Sequence, residues 1–154
     1  KRCKAAGMHT AVDTTGYVKW DIVEKVMPYT DLFLYDLKNM DSKLHEQVIG
    51  VPNELILANL KGIAQNGGRI QLRIPVIPLF NESQAHFEKV AEFLGDIREA
   101  IEIIQLLPYH TMGISKHERL LKKEIVFVAS PPSDELMEKR KEQLIEKGFN
   151  VRVH

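Results

Sequence analysis

The chain has 154 residues, of which 44% are hydrophobic and 27% are charged, a balance typical of one folded domain with a core and not of a disordered chain. Basic and acidic residues number 21 each, and the zero net charge argues against bulk electrostatic binding to nucleic acid or to an acidic membrane. The single cysteine, Cys3, excludes a disulfide within the chain and suits a reducing cytoplasm. No signal-peptide pattern opens the chain, and no apolar run approaches the roughly 18 residues that span a bilayer.

The chain begins at Lys1, not at Met, and its first residues resemble the end of a helix that stops at Gly7, so we expect a piece of a longer protein. Apolar residues that run together or alternate predict strands at 10–13, 32–38, 70–74, 101–107 and 149–153. Apolar spacing and capping residues predict helices at 20–27, at 45–49, after Asn53, after Asn81 or Ser83, and from Ser133 to Gly148.

Two of the predicted strands, at 32–38 and 70–74, allow a further prediction each. The strand at 32–38 is almost continuously apolar, which is typical of a strand covered on both faces. Pro75 and Pro78 are expected to mark the end of the strand at 70–74, because proline cannot donate to a strand ladder. The stretch at 111–123 is polar and basic and predicts a functional loop, and 125–129 predicts a short strand.

Strands and helices alternate at about 30-residue spacing, which predicts an α/β fold with a parallel sheet. A closed barrel of eight such units needs roughly 250 residues, so this chain would form about half of one. We therefore predict that residues 1–154 form a single domain with the fold of a partial parallel (β/α) barrel.

Ionisable side chains follow or interrupt the apolar strands at their carboxyl ends: Asp13, Asp36, Lys38, Arg73 and His110. Parallel α/β folds bind ligands at that edge of the sheet, so these groups are expected to converge. Several charges gathered at one edge of the sheet cost free energy unless a ligand binds them. Carboxylates that hold an ammonium or hydroxyls, together with cations that hold an anion, suit an amino-acid-like zwitterion carrying a sugar, with a sugar phosphate as the competing ligand.

Purely structural roles stay open for each of these residues. Asp13 could cap a turn, Asp36 and Lys38 could pair with each other, Arg73 could form an ion pair with Asp36, and His110 could be an ordinary loop histidine.

Five ordered motifs are similar to those of one enzyme family: DTTGY at 13–17, YDLK at 35–38, VIGV at 48–51, IPVIP at 74–78 and LLPYH at 106–110. They resemble the glycyl-radical-enzyme activases of the radical S-adenosylmethionine superfamily, a family that includes pyruvate formate-lyase activating enzyme. The resemblance implies a partial (β/α) barrel in which a [4Fe–4S] cluster reductively cleaves S-adenosylmethionine, and the resulting radical takes a hydrogen from a glycine of a partner enzyme.

The resemblance also implies which residues contact S-adenosylmethionine. Lys38 and His110 would face the methionine carboxylate, while Asp13 and Asp36 would lie near its polar groups and share a monovalent cation. The full set of expected cofactor contacts is Asp13, Asp36, Leu37, Lys38, Arg73 and His110. We predict no catalytic side chain and no metal ligand within this chain.

The three-cysteine cluster motif of the family is absent from this sequence, and we read the lone Cys3 as a helix packing residue. We therefore expect a C-terminal portion of an activase that is inactive alone. The parent would act on a glycyl-radical enzyme and take electrons from a donor such as flavodoxin or ferredoxin. The edge of the first strand is expected to promote self-association.

Two rival functions remain at this stage. A fragment of a sugar-phosphate aldolase or isomerase would use Lys38 as a Schiff-base amine. A non-catalytic binding module would use the stretch at 111–123 to dock a protein partner.

Overall fold

A single sheet of five parallel strands forms the centre of the computed structural model, which describes residues 1–110 and 129–154. The strands are β1 (Ala11–Thr14), β2 (Leu32–Asp36), β3 (Ile70–Val76), β4 (Ile101–Pro108) and β5 (Val151–Val153). Each strand pairs with the next one along the chain, which is the winding of a (β/α) barrel. The predicted parallel α/β fold is confirmed. The predicted loop at 111–123, and the predicted strand at 125–129 except for its last residue, lie outside the described residues.

Six α-helices connect or flank the strands in the described part of the chain. They are α1 (Arg2–Ala5), α2 (Trp20–Val26), α3 (Ser42–Ile49), α4 (Glu54–Gln65), α5 (Gln84–Gly95) and α6 (Asp134–Glu146), with short 3₁₀ turns at Met27–Tyr29 and Arg98–Ala100. Ser83 caps α5 and Ser133 caps α6, each by accepting a backbone N–H bond, as the sequence predicts. None of the helices in these ranges is long and apolar enough to cross a membrane.

The side chain of Asn53 does not cap α4, contrary to the prediction. Asn53 stands at the position before the helix, but its backbone is already close to helical and its amide donates to the carbonyl of Asn39 instead. The Nδ2 of Asn53 is thus engaged in a tertiary bond, and its side chain makes no capping bond to the first turn of α4.

Pro75 lies inside β3, opposite Leu107 of β4, so the prediction that it ends the strand is wrong. The Arg73 carbonyl faces β2, where it accepts from Leu37, and Pro75 two residues later faces the same side. Because β2 ends at Asp36, no ladder bond is available there for proline to lose, and the Pro75 carbonyl accepts from the Asn81 side chain instead.

The described strands bury one face only. Phe33 and Tyr35 of β2 are buried, whereas Leu34 and Asp36, which alternate with them, are only half-buried, and β3 shows the same alternation. The buried strand residues share a core with α2, α4, α5 and α6. The expectation that β2 is covered on both faces is therefore wrong in the described part of the chain. Sequential right-handed crossovers place every connecting helix on the same side of a sheet.

Gly16 fixes the turn after β1. Its φ is +73°, and a Cβ there would lie 1.6 Å from the hydroxyl oxygen of Tyr35, which is fully buried and donates to the Ile56 carbonyl at 2.6 Å. Burial also raises the pKa of the Tyr35 hydroxyl, which therefore stays protonated and keeps its proton for this bond.

We expect Gly16→Ala to lower the free energy of unfolding by about 2–4 kcal/mol, because it adds a left-handed backbone penalty to a steric clash. Gly67→Ala is the matched control, since Gly67 has φ +79° but open space around the added Cβ, and it should cost about 1–2 kcal/mol. Urea denaturation of both variants measures the difference. Equal losses would contradict the close packing of Tyr35 on Gly16.

His86 on α5 gives the core a dependence on pH. The residue is 7% exposed, and burial, together with the nearby charge of Lys89, lowers its pKa to about 4. The folded state therefore favours the neutral ring, so the stability it contributes is present above the unfolded pKa of about 6.5 and is lost as the pH falls toward 4.

We expect the wild-type protein to lose about 3 kcal/mol more stability between pH 7 and pH 4 than His86→Leu does. His9→Gln, at an exposed position, should leave the pH dependence of the wild type unchanged. Denaturant titrations at both pH values measure this. A His86→Leu curve parallel to the wild type would rule out His86 as the cause.

Candidate functional site

Arg73 of β3 joins the two carboxylates at the carboxyl edge of the sheet. Its Nε donates to Asp36 at 2.7 Å, and both of its Nη atoms donate to Asp13, Nη1 at 2.9 Å. Asp36 stands directly opposite Arg73 in the β2–β3 register, which explains this contact. The hydrogen bonds to Asp13, and then the charge of Asp36, raise the pKa of the guanidinium further above its usual value.

The ion pairs of Arg73 bear on two expectations from the sequence: the Arg73–Asp36 ion pair and the monovalent cation shared by Asp13 and Asp36. Arg73 does pair with Asp36, and it pairs with Asp13 as well. The guanidinium stands between the two carboxylates, where the resemblance implies a shared monovalent cation. A cation bound by both carboxylates would therefore have to displace Arg73 from at least one of them.

Lys38 lies two residues beyond the end of β2 and is half-buried. Among the described residues no carboxylate forms an ion pair with its ammonium, because Asp36 is engaged by Arg73. The alternative of an Asp36–Lys38 ion pair is therefore wrong. The Lys38 main chain is fixed, since its carbonyl accepts from the Asn81 amide at 2.7 Å, while its charged group is left available.

Leu37 faces away from its two charged neighbours. Its side chain is 1% exposed and belongs to the core beneath the sheet, while its backbone N–H donates to the Arg73 carbonyl at 2.9 Å. A ligand above the open face could meet Leu37 only through its main chain.

His110 is exposed and lies at the rim of an open groove of about 630 Å³ on the uncovered side of the sheet. The groove is lined by Arg73, Pro75, Gln105, Leu107, Pro108, Tyr109, His110 and His154. Arg73 thus connects the groove with Asp13 and Asp36, whereas Lys38 does not line it. The structure brings Asp13, Asp36 and Arg73 into direct contact and places His110 on the far side of Arg73 from them.

Gln105 is a groove residue that the sequence analysis did not single out. It stands opposite Arg73 in β3 and opposite Arg152 in β5, on the open face of the sheet. A polar residue between the buried Ile104 and Leu106 is the sequence signal that could have identified it.

Asn81 ties the loop after β3 to the loop after β2. The residue is 1% exposed, and its Nδ2 donates to the Lys38 and Pro75 carbonyls, both at 2.7 Å, while its Oδ1 accepts from the Ile77 N–H at 2.7 Å. The sequence analysis treated Asn81 as a possible helix cap, so this role was missed.

Three more buried asparagines complete the same support. Asn39 donates to the Phe80 carbonyl at 2.7 Å, and Asn53 donates to the Asn39 carbonyl at 2.8 Å. Asn59 of α4 donates to the carbonyls of Gly16 and Val18 at 2.7 and 2.6 Å. Side-chain amides therefore fix the loops that follow β1, β2 and β3.

Cys3 is exposed on α1, a four-residue helix that contributes nothing to the core. The expectation that Cys3 is a packing residue is therefore wrong. In the described ranges no three His, Cys, Asp or Glu side chains form a group that could hold a metal. One cysteine in the whole sequence does not fit an iron–sulfur cluster, which needs several thiolates.

Comparison with known proteins supplies the family. Over its full length the chain matches the crystal structure of a domain of pyruvate-formate lyase-activating enzyme from Bacteroides vulgatus, with a TM-score of 0.83, 35% identity and 86% of that chain covered. The chain belongs to the family of glycyl-radical-enzyme activating enzymes. No family model matches it.

Two curated relatives are also activating enzymes. The trans-4-hydroxy-L-proline dehydratase activating enzyme of Clostridioides difficile is 37% identical over 153 residues, which are 98% of this chain and 50% of the relative. The choline trimethylamine-lyase activating enzyme of Oleidesulfovibrio alaskensis is 40% identical over 120 residues, 77% of this chain and 39% of the relative. The chain spans half or less of the length of these relatives.

We expect Asn81→Asp to lower the free energy of unfolding by at least about 3 kcal/mol, because the buried acidic side chain would face two carbonyls that it cannot satisfy. Asn66→Asp is the matched control, since Asn66 is exposed and its side chain makes one bond, to the Gly62 carbonyl, and it should cost less than about 1 kcal/mol. Thermal and denaturant unfolding of both variants measure the difference. Similar losses in the two would contradict the supporting role of Asn81.

Proposed function

We propose that residues 1–154 form a single domain that is the C-terminal portion of a longer activating enzyme. The parent would use S-adenosylmethionine to generate a radical on a glycine of a partner enzyme. Membership of the family, and the match to a solved domain of one member, support this proposal. Because the family consists of activating enzymes, membership argues against both the aldolase alternative and the non-catalytic module.

The observation that carries the proposal is the charge arrangement at the carboxyl edge. Lys38 is half-buried, its ammonium has no carboxylate partner within residues 1–110 and 129–154, and it lies one strand away from a guanidinium that joins two carboxylates. These donors and acceptors suit a zwitterion that carries both a carboxylate and cationic groups, and S-adenosylmethionine, with its carboxylate, ammonium and sulfonium, has this character.

The residues fit this ligand in a defined way. Lys38 and His110 would hold the methionine carboxylate, Asp13 and Asp36 would face the cationic groups, and Arg73 would line the site. The Leu37 main chain would complete the edge. When bound and reduced by one electron, S-adenosylmethionine supplies a radical that can remove hydrogen from a glycine. The cluster that delivers the electron does not fit this chain, so its ligands would belong to another part of the parent, which would receive electrons from a flavodoxin or a ferredoxin.

The test uses the full-length protein, reconstituted without oxygen and supplied with S-adenosylmethionine and a chemical reductant. The probes are trans-4-hydroxy-L-proline dehydratase, choline trimethylamine-lyase and pyruvate formate-lyase, chosen because activating enzymes of these three proteins are similar to the chain. We expect the electron paramagnetic resonance signal of a glycyl radical on at least one of them, and none when residues 1–154 replace the full-length protein. Absence of a signal from all three would overturn the proposal.

We expect Lys38→Ala in the full-length protein to weaken S-adenosylmethionine binding by about 10- to 100-fold, the effect of losing a charge-assisted hydrogen bond. The melting temperature should stay within a degree or two, because Asp36 keeps Arg73 as its partner. Lys43→Ala, on the exposed side of α3, is the matched control and should change neither quantity. Calorimetric titration and thermal unfolding of the same samples measure both. Unchanged S-adenosylmethionine affinity in Lys38→Ala would contradict the proposal that Lys38 contacts this ligand.

A further inference from the structure

Leu79 is displayed outward from the loop that follows β3. Its side chain is 80% exposed and its φ is +65°, a conformation that costs a bulky side chain about 1–2 kcal/mol. Within the described ranges Leu79 is the residue other than glycine that adopts a positive φ. An apolar side chain held at such a cost and left in solvent contributes nothing to the core.

The loop around Leu79 is held rigidly. The Ile77 carbonyl accepts from the N–H groups of Phe80 and Asn81, both at 3.1 Å, and the Asn81 side chain holds the Ile77 N–H. The Leu79 N–H itself donates to the Glu82 carboxylate at 3.0 Å. The surrounding bonds therefore determine the strained conformation, which is a pattern found where strain serves a binding function.

Tyr17 is displayed in a similar way from the loop that follows β1. It is 47% exposed, and the Asn59 amide binds the two carbonyls on either side of it, those of Gly16 and Val18. A direct N–H bond from Val18 to the Gly16 carbonyl, 2.9 Å long, closes the turn beneath it. A second buried asparagine thus fixes a second exposed apolar group.

The sheet order places these two side chains on either side of the proposed ligand site. Strands β1, β2 and β3 are neighbours, and Tyr17, Lys38 and Leu79 each follow one of them at the same edge. A ligand held by Lys38 would therefore be flanked by two rigidly held apolar groups. Rigid groups lose little conformational entropy on binding, so such an edge is suited to a partner that docks over it.

We propose that Tyr17 and Leu79 form the contact surface for the polypeptide segment that carries the target glycine of the partner enzyme. This inference rests on the proposed function, because a glycine that reacts with a radical formed from S-adenosylmethionine bound beside Lys38 must reach the site across this edge. The segment would be extended and would place apolar side chains against Tyr17 and Leu79, one on each side of the glycine.

The test measures radical formation by the full-length protein on whichever of the three partner enzymes above gives the largest signal. Leu79→Asn keeps a residue that tolerates a positive φ but removes the apolar group, and Tyr17→Ser removes the ring. We expect each to raise the KM for the partner about tenfold, which is the effect of losing the burial of one apolar side chain on binding. The maximal rate and the S-adenosylmethionine affinity should stay within twofold of the wild type. Leu79→Met and Tyr17→Phe should keep the wild-type KM.

Ile145→Ser is the matched control, since Ile145 is an exposed apolar residue on α6, away from this edge, and it should leave the KM unchanged. Leu79→Gly gives an independent folding check, because it should unfold at or above the wild-type temperature while still raising the KM.

Unchanged KM values in Leu79→Asn and Tyr17→Ser would overturn the proposal that these residues contact the partner, while the proposed function would still hold. A proportional loss of S-adenosylmethionine affinity would reassign the two residues to the cofactor, and a change of oligomeric state would assign them to contacts between copies. Either result would overturn the inference. Failure of the wild type on all three partners would overturn the proposed function and this inference together.

Discussion

One-sided burial of the parallel sheet is the constraint on which the rest of this structure depends. Helices cover the face that carries Tyr35, Leu72 and Leu106, and the opposite face carries Asp36, Arg73 and Gln105 in one row of the strand register. Because alternate residues of a strand point to opposite faces, the same strands supply both a dry core and a polar, accessible surface. The core needs the strands to be apolar at every second position only, which leaves the intervening positions free for charged side chains.

Charge balance on the open face depends on Arg73. Two carboxylates on neighbouring strands repel each other, and one guanidinium that donates to both relieves the repulsion without a bound ion. Lys38 adds a cation that no described carboxylate neutralises. Asp13 and Asp36 therefore share a cationic partner, whereas Lys38 has no carboxylate partner in the described ranges, so an anion gains most at its ammonium.

Buried amides, and not ion pairs, hold the loops of the site in place. Asn59 bonds two carbonyls of the distant loop after β1, whereas Asn81 bonds the distant Lys38 carbonyl and the nearby Pro75 carbonyl; both side chains are 1–2% exposed. A neutral amide is suited to this because it satisfies buried carbonyls without the desolvation penalty of a charge. The same two amides fix the loops that display Tyr17 and Leu79, so the rigidity of the edge and its proposed binding surface have one physical origin.

The sequence by itself determined the parallel α/β fold of a partial barrel and the meeting of Asp13, Asp36 and Arg73 at one edge, because strand periodicity and the alternation of strands with helices can be recognised locally. Only the tertiary structure decided the partners. Arg73 took Asp36 from Lys38 because strand register set them opposite each other, and Asn53 bonded the Asn39 carbonyl in place of capping its helix. Pro75 remained within β3 because the neighbouring strand had already ended. Such choices depend on which groups from distant segments compete for one donor or acceptor, and local sequence does not contain that competition.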